Sequence, residues 1–300
     1  MRTLTLIFSK DRPLQLQATL ASFALHCLEA AQSPITVLYR TSSEAFAQGY
    51  AQLQQEFQGR LLIDWVQERS FRHDLLACLR QPPAASRWRR ILDRLRLRSW
   101  RASCEQLLFL VDDNIFVRPF SLHAIHGALD QQPSAIGFSL RVGHNTTRCY
   151  SMNCVQPLPD FQPVDGGLRF RWVGQTGDFG YPIEVSSSVY RLADLLGLLR
   201  TLPYTNPNRL EQVLSSSSSL FALVKPDLLC FDQSVAFCAP INKVQTILDN
   251  RAGESDDYSS EALLERFLDG QRVDVEALRD FVPQAAHVEI DLPLQATQAL

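Results

Sequence analysis

The chain has 300 residues, of which 46% are hydrophobic and 20% are charged. This composition supplies enough apolar material for a packed core and excludes a chain that is disordered throughout. The formal net charge of -3 argues against a general nucleic-acid-binding protein, which is normally basic.

The cysteines and apolar runs indicate the cellular compartment of the protein. Its seven cysteines form no C-x-x-C pair, so the sequence indicates neither a disulfide framework nor a zinc knuckle. Apolar runs such as 107–111 are far shorter than the roughly 20 residues that a membrane-spanning helix needs. The opening residues also lack the core and cleavage site of a signal peptide. We therefore expect a cytoplasmic protein, with any membrane contact peripheral and at the inner face.

The first part of the chain alternates between strand-like and helix-like patterns. Short apolar runs predict strands at 4–8, 35–39, 61–66 and 107–111. Helical spacing of apolar residues predicts a helix after each of the first three strands: one from Pro13, one closed by Gly59, and one in the segment around Trp88. This alternation predicts an α/β fold in which helices cover both faces of a mostly parallel central sheet.

The rest of the chain has a less regular pattern. We predict strands at 135–142, 220–224 and 228–231, helices at 190–199, 207–214 and 261–268, loops and short strands at 143–185, a mobile five-serine connection at 215–219, and period-two alternation at 287–294. No change in composition divides two domains. We therefore expect one domain over 1–300 with a C-terminal extension.

One segment is strongly basic. A single Asp93 accompanies seven arginines, which are Arg87, Arg89, Arg90, Arg94, Arg96, Arg98 and Arg101. The segment is interpreted either as a solvated helix face or as a surface that attracts a phosphorylated ligand or an anionic membrane.

The fourth predicted strand ends in Asp112, Asp113 and Asn114. Ligands of open α/β folds bind at the carboxyl edge of the sheet, and Mg²⁺ and Mn²⁺ prefer oxygen ligands there. The alternative is a polar turn in which Asp and Asn bond to their own backbone.

Two motifs resemble a known family. The strand followed by Asp112-Asp113-Asn114 is similar to the D-x-D region of GT-A fold nucleotide-sugar glycosyltransferases, of the family 2-like kind. The first strand followed by Ser9-Lys10-Asp11-Arg12-Pro13 is similar to their first nucleotide-contacting loop. The resemblance covers roughly the first 120 residues, and it departs from the family pattern at Asn114. It implies a nucleotide-binding half at 1–120 and an acceptor-binding half at 121–300.

The resemblance also implies roles for individual residues. Those that would contact the nucleotide are Ser9, Lys10, Asp11, Arg12, Asp64, Arg69 and Asp112, with Glu68 close by. The metal, Mn²⁺ or Mg²⁺, would be held by Asp112, Asp113 and Asn114, with His287 as a further ligand. An alternative role for Asp11 is the N-cap of the first helix.

An inverting transferase needs a carboxylate that deprotonates the acceptor hydroxyl. Glu211 starts a short predicted helix at the place that corresponds to the family's base. Asp178 and Glu184, in or beside a Gly- and aromatic-rich loop, are the rival candidates, and a solvated first-turn acid is the structural alternative for Glu211.

The sequence thus predicts a metal-dependent, hexosyltransferase-like enzyme. Its partners would be a nucleotide-sugar donor and a glycan or lipid-linked acceptor, with no nucleic acid and with possible peripheral membrane contact. The alternatives are a catalytically silent glycan- or nucleotide-binding module and a nucleotidyltransferase, although the first turn lacks the Gly-rich phosphate loop that is usual in the latter.

Overall fold

The computed structural model describes residues 3–80, 104–242 and 258–296. The arginine-rich segment at 87–101, for which a helix is predicted, lies outside these residues.

A nine-stranded sheet organises the molecule. Its strands are β1 (Thr3–Lys10), β2 (Pro34–Arg40), β3 (Leu62–Gln67), β4 (Gln106–Val111), β6 (Ala135–Ser139), β9 (Gln162–Val164), β10 (Gly167–Arg171), β11 (Ser187–Arg191) and β12 (Asp227–Cys230). They lie in the order β3-β2-β1-β4-β11-β6-β12-β10-β9. The first four are parallel, whereas β11 is antiparallel to both of its neighbours.

Short strands form three smaller ladders beside this sheet. They are β5 (Asn114–Phe116) with β13 (Ala236–Cys238), β7 (Arg148–Cys149) with β8 (Cys154–Val155), and β14 (Gln271–Val273) with β15 (Leu294–Ala296). The β5–β13 pair follows directly on β4 and therefore continues the chain past the edge of the main sheet.

Helices pack on both faces of the sheet. One face carries α1 (Pro13–His26), α2 (Glu44–Glu56), α4 (Leu122–Gln131) and α7 (Ser260–Leu268), and the other carries α3 (Phe71–Arg80), α5 (Leu192–Thr201) and α6 (Pro207–Ser216). Successive residues of a strand point to opposite faces, and Leu108 and Leu110 of β4 accordingly join the first core while Leu107 and Phe109 join the second. The predicted α/β class with a mostly parallel central sheet is confirmed.

Several predicted elements differ from the observed ones. Tyr190 and Arg191 belong to β11, and the helix begins at Leu192. The serine run is not a free connection: Ser215 and Ser216 end α6, and Ser218–Phe221 form a 3-10 helix where a strand is predicted. At 287–294 the period-two pattern produces only a single bridge of His287 to Cys238 and the first residue of β15. Local patterning does not reveal these pairings because distant strands determine them.

Among the described helices, none is both long and apolar enough to cross a membrane.

Candidate functional site

The site begins where β1 and β4 end side by side. These strands are parallel, with Phe8 opposite Val111, so the residues that follow each strand meet at one edge of the sheet. Ser9 and Lys10 thereby lie next to Asp112. The structure brings together the two motifs that carry the family resemblance.

Asp112 is held by three donors from the first motif. Its Oδ2 accepts hydrogen bonds from the Ser9 hydroxyl at 2.9 Å and from the Lys10 backbone N–H at 3.1 Å. Its Oδ1 accepts one from Arg12 Nη1 at 3.0 Å. Tyr50 adds a hydrogen bond to Ser9 from α2. The carboxylate of Asp112 is therefore fixed before any ligand arrives.

Arg12 bridges two neighbouring carboxylates. Its Nη1 lies 3.5 Å from Asp113 Oδ2 in addition to its bond with Asp112, and its Nη2 donates to the backbone oxygen of Asn242 at 2.6 Å. Burial alone would lower the pKa of Arg12, but the two carboxylates outweigh this effect and raise it. The guanidinium therefore stays charged and neutralises part of the acidic pair.

Asp113 is the less satisfied member of that pair. Its Oδ1 is buried and has no hydrogen-bond partner among the described residues. Burial raises the pKa of the Asp113 carboxyl to about 6; Arg12 opposes this rise, and the like charge of Asp112 adds to it. A buried carboxylate oxygen without a partner is costly, which is the property expected of a group that awaits a ligand.

Asn114 has a structural role instead of the predicted role as metal ligand. Its side chain is fully buried, its Oδ1 accepts from the Val111 backbone N–H at 2.8 Å, and its Nδ2 donates to Cys238 Sγ at 3.2 Å. These bonds close the tight turn between β4 and β5. The amide oxygen is thereby turned back onto the strand end, which corrects the sequence-based expectation.

Asp11 does not cap the first helix, although that role is predicted as its alternative. Arg12 occupies the N-cap position, and no side chain caps that end. Asp11 instead accepts a hydrogen bond from the Ser42 backbone N–H at 2.7 Å, and its φ of 55° lies in the left-handed region. It joins the loops after β1 and β2 and so shapes the edge on which Lys10 and Arg12 stand.

Of the three residues named at and after the third strand, Glu68 lies at the edge of the sheet. Asp64 lies within β3, three residues before the strand ends at Gln67, and is not at the edge. Glu68 is at the edge, 3.8 Å from Arg40, and burial raises the pKa of its carboxyl. Arg69 uses its backbone N–H to bond with Asp74 while its side chain is exposed.

A second cluster surrounds Arg141, beyond the carboxyl end of β6. This arginine is only 4% exposed, and its Nη1 donates to the Ser186 hydroxyl at 2.8 Å. The charge of Arg141 acts on all three candidate bases and on Asp113. It opposes the rise in the pKa of Asp113, Asp178 and Glu211. The third candidate base, Glu184, has its Oε1 4.0 Å from the Arg141 Nε. Arg141 thus links the candidate bases to the Asp112–Asp113 pair.

Two of the three candidate bases are engaged by the fold. Glu184 is 2% exposed and accepts hydrogen bonds from the backbone N–H groups of Ser186 and Ser187. Asp178 is paired with Gln156, which donates to its carboxylate at 3.0 Å and accepts from its backbone N–H at 3.0 Å. Both acids stabilise the loop that leads into β11.

Glu211 is the most accessible of the three. It is half-buried, near the start of α6, and its two oxygens accept from the Tyr181 hydroxyl and the Val185 backbone N–H, each at 3.1 Å. Burial raises the pKa of its carboxyl and Glu184 adds to the rise, whereas Arg141 and the two hydrogen bonds oppose it. A raised pKa brings a carboxylate closer to the range in which it serves as a general base.

His287 lies beside the Arg141 cluster. Its backbone is bridged to Cys238, the residue that contacts Asn114, and its ring is 6.1 Å from that of Tyr150. Burial and the charge of Arg141 lower the pKa of His287 to about 3, so the imidazole is neutral at neutral pH. Among the described residues, no three His, Cys, Asp or Glu side chains are assembled to hold a metal ion.

Sequence reasoning missed three residues of this site. Arg141, Tyr181 and Gln156 position the acids. Gln156 and Tyr181 lie in the irregular part of the chain at 143–185, and Arg141 lies at the end of the strand predicted at 135–142, where the pattern indicates only a strand. The one available signal is the sequence Gly177-Asp178-Phe179-Gly180-Tyr181, whose composition is typical of a binding loop and which contains Tyr181 itself.

No family model matches the sequence. The chain is 22% identical over 272 residues to the bifunctional glycosyltransferase pgtA of Dictyostelium discoideum, a match that covers 81% of this chain and 32% of that protein. The chain is similar to a glycosyltransferase. The predicted resemblance is confirmed, and the chain spans about a third of the length of this relative.

Solved structures show a more distant likeness. Residues 1–349 of TarS from S. aureus, in complex with UDP, are 12% identical, with 90% of this chain and 71% of that chain covered and a TM-score of 0.46. The mannosyltransferase PcManGT from Pyrobaculum calidifontis, in complex with GDP-Man and Mn²⁺, is 12% identical, with 76% and 54% covered and a TM-score of 0.39. Both TM-scores are below 0.5. The fold is therefore defined by the strand order observed in this chain.

Proposed function

We propose that this protein is a glycosyltransferase that moves a sugar from a nucleotide diphosphate sugar to an acceptor hydroxyl. The observation that carries this proposal is the network of Ser9, Arg12 and Asp112 at the carboxyl edge of β1 and β4. Ligands of open α/β sheets bind at this edge. The similarity to a curated glycosyltransferase over 81% of the chain supports the same function.

The donor would bind along the edge formed by β1, β2 and β3. Lys10 is exposed there, and Glu68 and Arg40 stand at the next two strand ends. Basic groups suit the diphosphate, and the half-buried Glu68 suits a hydrogen-bonding partner such as a base or a ribose hydroxyl.

A divalent cation, Mn²⁺ or Mg²⁺, fits part of the predicted ligand set. Among the residues that the structure describes, Asp113 Oδ1 is buried without a partner and Asp112 Oδ1 accepts a hydrogen bond from Arg12 alone, so these two oxygens suit a hard cation. Asn114 does not fit, since its amide is engaged by Val111 and Cys238. Such ions need one or two carboxylates and take their remaining ligands from water and phosphate. When bound, the cation would offset charge on the leaving diphosphate.

Glu211 is the best candidate for the base if the reaction inverts the sugar. Tyr181 and Val185 orient its carboxylate, and the raised pKa suits proton transfer near neutral pH. Asp178 and Glu184 would act by positioning the loop that carries Tyr181 and Val185.

The acceptor, a glycan or a lipid-linked sugar, would be held by the loops at 143–185.

A peripheral membrane contact is a further part of this proposal. Leu220, Leu223 and Val224 are 68%, 96% and 66% exposed, which gives an apolar tip that can insert at a bilayer interface. Sedimentation with anionic vesicles, with Leu223→Ser as the comparison variant, tests this contact; equal sedimentation of both proteins would argue against the tip.

The decisive experiment measures nucleotide binding and donor turnover. Calorimetry with UDP and with GDP, each with and without Mn²⁺, should show binding that the cation strengthens. Incubation with a panel of nucleotide sugars should then release nucleotide diphosphate from one of them, even without acceptor. Absence of binding to every nucleotide would overturn the proposal.

A catalytically silent binding module is the second candidate. The commitment of Asn114 to the turn favours it, because one position of the D-x-D region then offers no ligand. Nucleotide binding without release of diphosphate from any donor would identify this case.

A further inference from the structure

A guanidinium lies between the two carboxylates that suit a metal ion. Arg12 Nη1 is 3.0 Å from Asp112 Oδ1 and 3.5 Å from Asp113 Oδ2, and the exposed fraction of the Arg12 side chain is 11%. The same side chain is anchored by its Nη2 to the backbone oxygen of Asn242. One nitrogen therefore faces Asp112 Oδ1, an oxygen that suits the cation, and also contacts the second oxygen of the Asp113 carboxylate.

Electrostatics explains why a cation is needed there. Asp112 and Asp113 are consecutive, both are withdrawn from solvent, and like charges at close range oppose each other's ionisation. Apart from Arg12, the positive charge that acts on Asp113 among the described residues is that of Arg141, whose own hydrogen bond and ion pair are with Ser186 and Glu184. Arg12 is thus the cation that contacts both carboxylates directly.

We propose that Arg12 holds the cation position of the free protein and competes with a divalent metal for Asp112 and Asp113. The metal then binds tightly only together with a nucleotide diphosphate, whose phosphate oxygens take over the guanidinium that the carboxylates release. The nucleotide part of this inference rests on the proposed function. The competition between Arg12 and the metal rests on the ion pairs alone.

The proposal has a reciprocal consequence. If the diphosphate raises the affinity for the metal, the metal must raise the affinity for the diphosphate by the same factor.

The Arg12 Nε is buried and has no hydrogen-bond partner among the described residues. This leaves the side chain a donor with which to engage an incoming anion while Nη2 keeps its contact with Asn242.

The test titrates Mn²⁺ alone against metal-stripped protein, with the electron paramagnetic resonance signal of free Mn²⁺ as the readout. In the unmodified protein, Mn²⁺ must break the charged hydrogen bond between Arg12 and Asp112, and the free energy of such a bond corresponds to about a tenfold change in affinity. Arg12→Gln should therefore bind Mn²⁺ about tenfold more tightly than the unmodified protein, or more. Arg60→Gln, which removes an exposed arginine between α2 and β3, away from this edge, should leave the Mn²⁺ affinity unchanged. Equal or weaker binding by Arg12→Gln would overturn the proposal.

Two further variants show whether the gain arises at this site. Arg12→Gln combined with Asp113→Asn should lose the gain, and retention of tight binding by the double variant would overturn the proposal. Arg12→Lys keeps a cation and should bind Mn²⁺ less tightly than Arg12→Gln. Thermal melting with and without Mn²⁺ verifies that each variant folds, and Mn²⁺ should raise the Tm of Arg12→Gln most.

A nucleotide titration separates this inference from the proposed function. UDP or GDP should raise the Mn²⁺ affinity of the unmodified protein by a larger factor than that of Arg12→Gln. If neither nucleotide binds any of the proteins, the proposed function fails, and a tighter Mn²⁺ site in Arg12→Gln would still support the competition. If a nucleotide binds but raises the Mn²⁺ affinity of both proteins equally, the exchange of Arg12 between carboxylate and phosphate is wrong.

Discussion

The hydroxyl of Ser9 donates to Asp112 Oδ2 at 2.9 Å, although the two residues are 103 positions apart. The contact exists because β1 and β4 are neighbours in the sheet and run in the same direction. The end of β1 therefore fixes the acid at the end of β4, and the pairing of the two strands orders this edge of the sheet.

Asp113→Asn should stabilise the protein at neutral pH. The carboxyl pKa is raised from 3.8 to about 6 on folding, so the folded state binds the proton more tightly and its free energy of unfolding falls as pH rises through this window. At pH 7.5 the variant should gain roughly 1–3 kcal/mol, and the gain should vanish near pH 4.

Urea unfolding in EDTA at both pH values measures this effect. Asp160→Asn, at an exposed position, is the matched control and should show no gain. A variant Asp113→Asn that is less stable than the unmodified protein at pH 7.5 would show that the carboxylate is needed for the fold.

Glu211→Gln should reduce turnover by a factor on the order of 10² or more, because general-base catalysis commonly contributes that much. Donor affinity should persist, since the residue lies in the Arg141 cluster and not on the donor edge. The assay is release of nucleotide diphosphate in the presence of acceptor, with calorimetry for the donor and circular dichroism for the fold.

Glu265→Gln, an exposed acid of α7, is the control for this substitution. Unchanged turnover in Glu211→Gln would remove the assignment of the base. Asp178→Asn would then be measured in the same assay.

Glu184→Ala should be strongly destabilising. Its carboxylate accepts from the backbone of Ser186 and Ser187 and lies 4.0 Å from the buried Arg141, so its removal leaves donors and a charge without compensation. The expected loss is about 3 kcal/mol or more in the free energy of unfolding. Glu68→Ala removes a carboxylate that lies 3.8 Å from Arg40, an arginine whose side chain is 63% exposed. This variant should lose less than about 1 kcal/mol in the free energy of unfolding. Similar losses in the two variants would contradict this account.

Gly177→Ala should disturb the loop that holds Asp178. The glycine has a φ of 60°, and a Cβ there would lie 2.3 Å from Gln156 Oε1, the oxygen that accepts from the Asp178 backbone. Gly59→Ala has a φ of 76° but meets no atom within 4 Å, so it isolates backbone strain of roughly 1–2 kcal/mol.

Thermal melting of both glycine variants gives the comparison. Gly177→Ala should lower the Tm more than Gly59→Ala does, by the cost of displacing Gln156. Equal shifts would mean that the side chain of Gln156 moves aside freely.

The sequence predicts the parallel half of the fold well and the later half less well. Strands such as β1 and β4 are continuous apolar runs, and α1 begins at a proline that marks its first turn, so local patterns suffice. The strand β11 is short and is followed at once by α5, and its pairing with β4 and β6 determines its conformation. No local pattern contains that pairing.

The same contrast holds within the site. Asp112 and Arg12 lie in motifs beside apolar strands and are found from the sequence. Arg141 becomes significant only because the fold places Glu184, Asp178 and Glu211 near it, a set drawn from two separate segments. Likewise, the engagement of Asn114 with Cys238 depends on a ladder between β5 and β13 that the sequence does not indicate.

The direction of β11 brings the connection that precedes this strand to the same edge of the sheet as the ends of β1 and β4. Since β11 runs against β4 and β6, its first residue, Ser187, lies at the edge where β4 ends, and the long connection before it delivers its last residues to the site. If the loops at 143–185 hold the acceptor as proposed, a chimaera that exchanges exposed residues of this connection outside β9 and β10 would alter the acceptor surface while β1, β4 and their hydrogen bonds stay as they are. Under the proposed function, acceptor preference would then change without a change in donor binding.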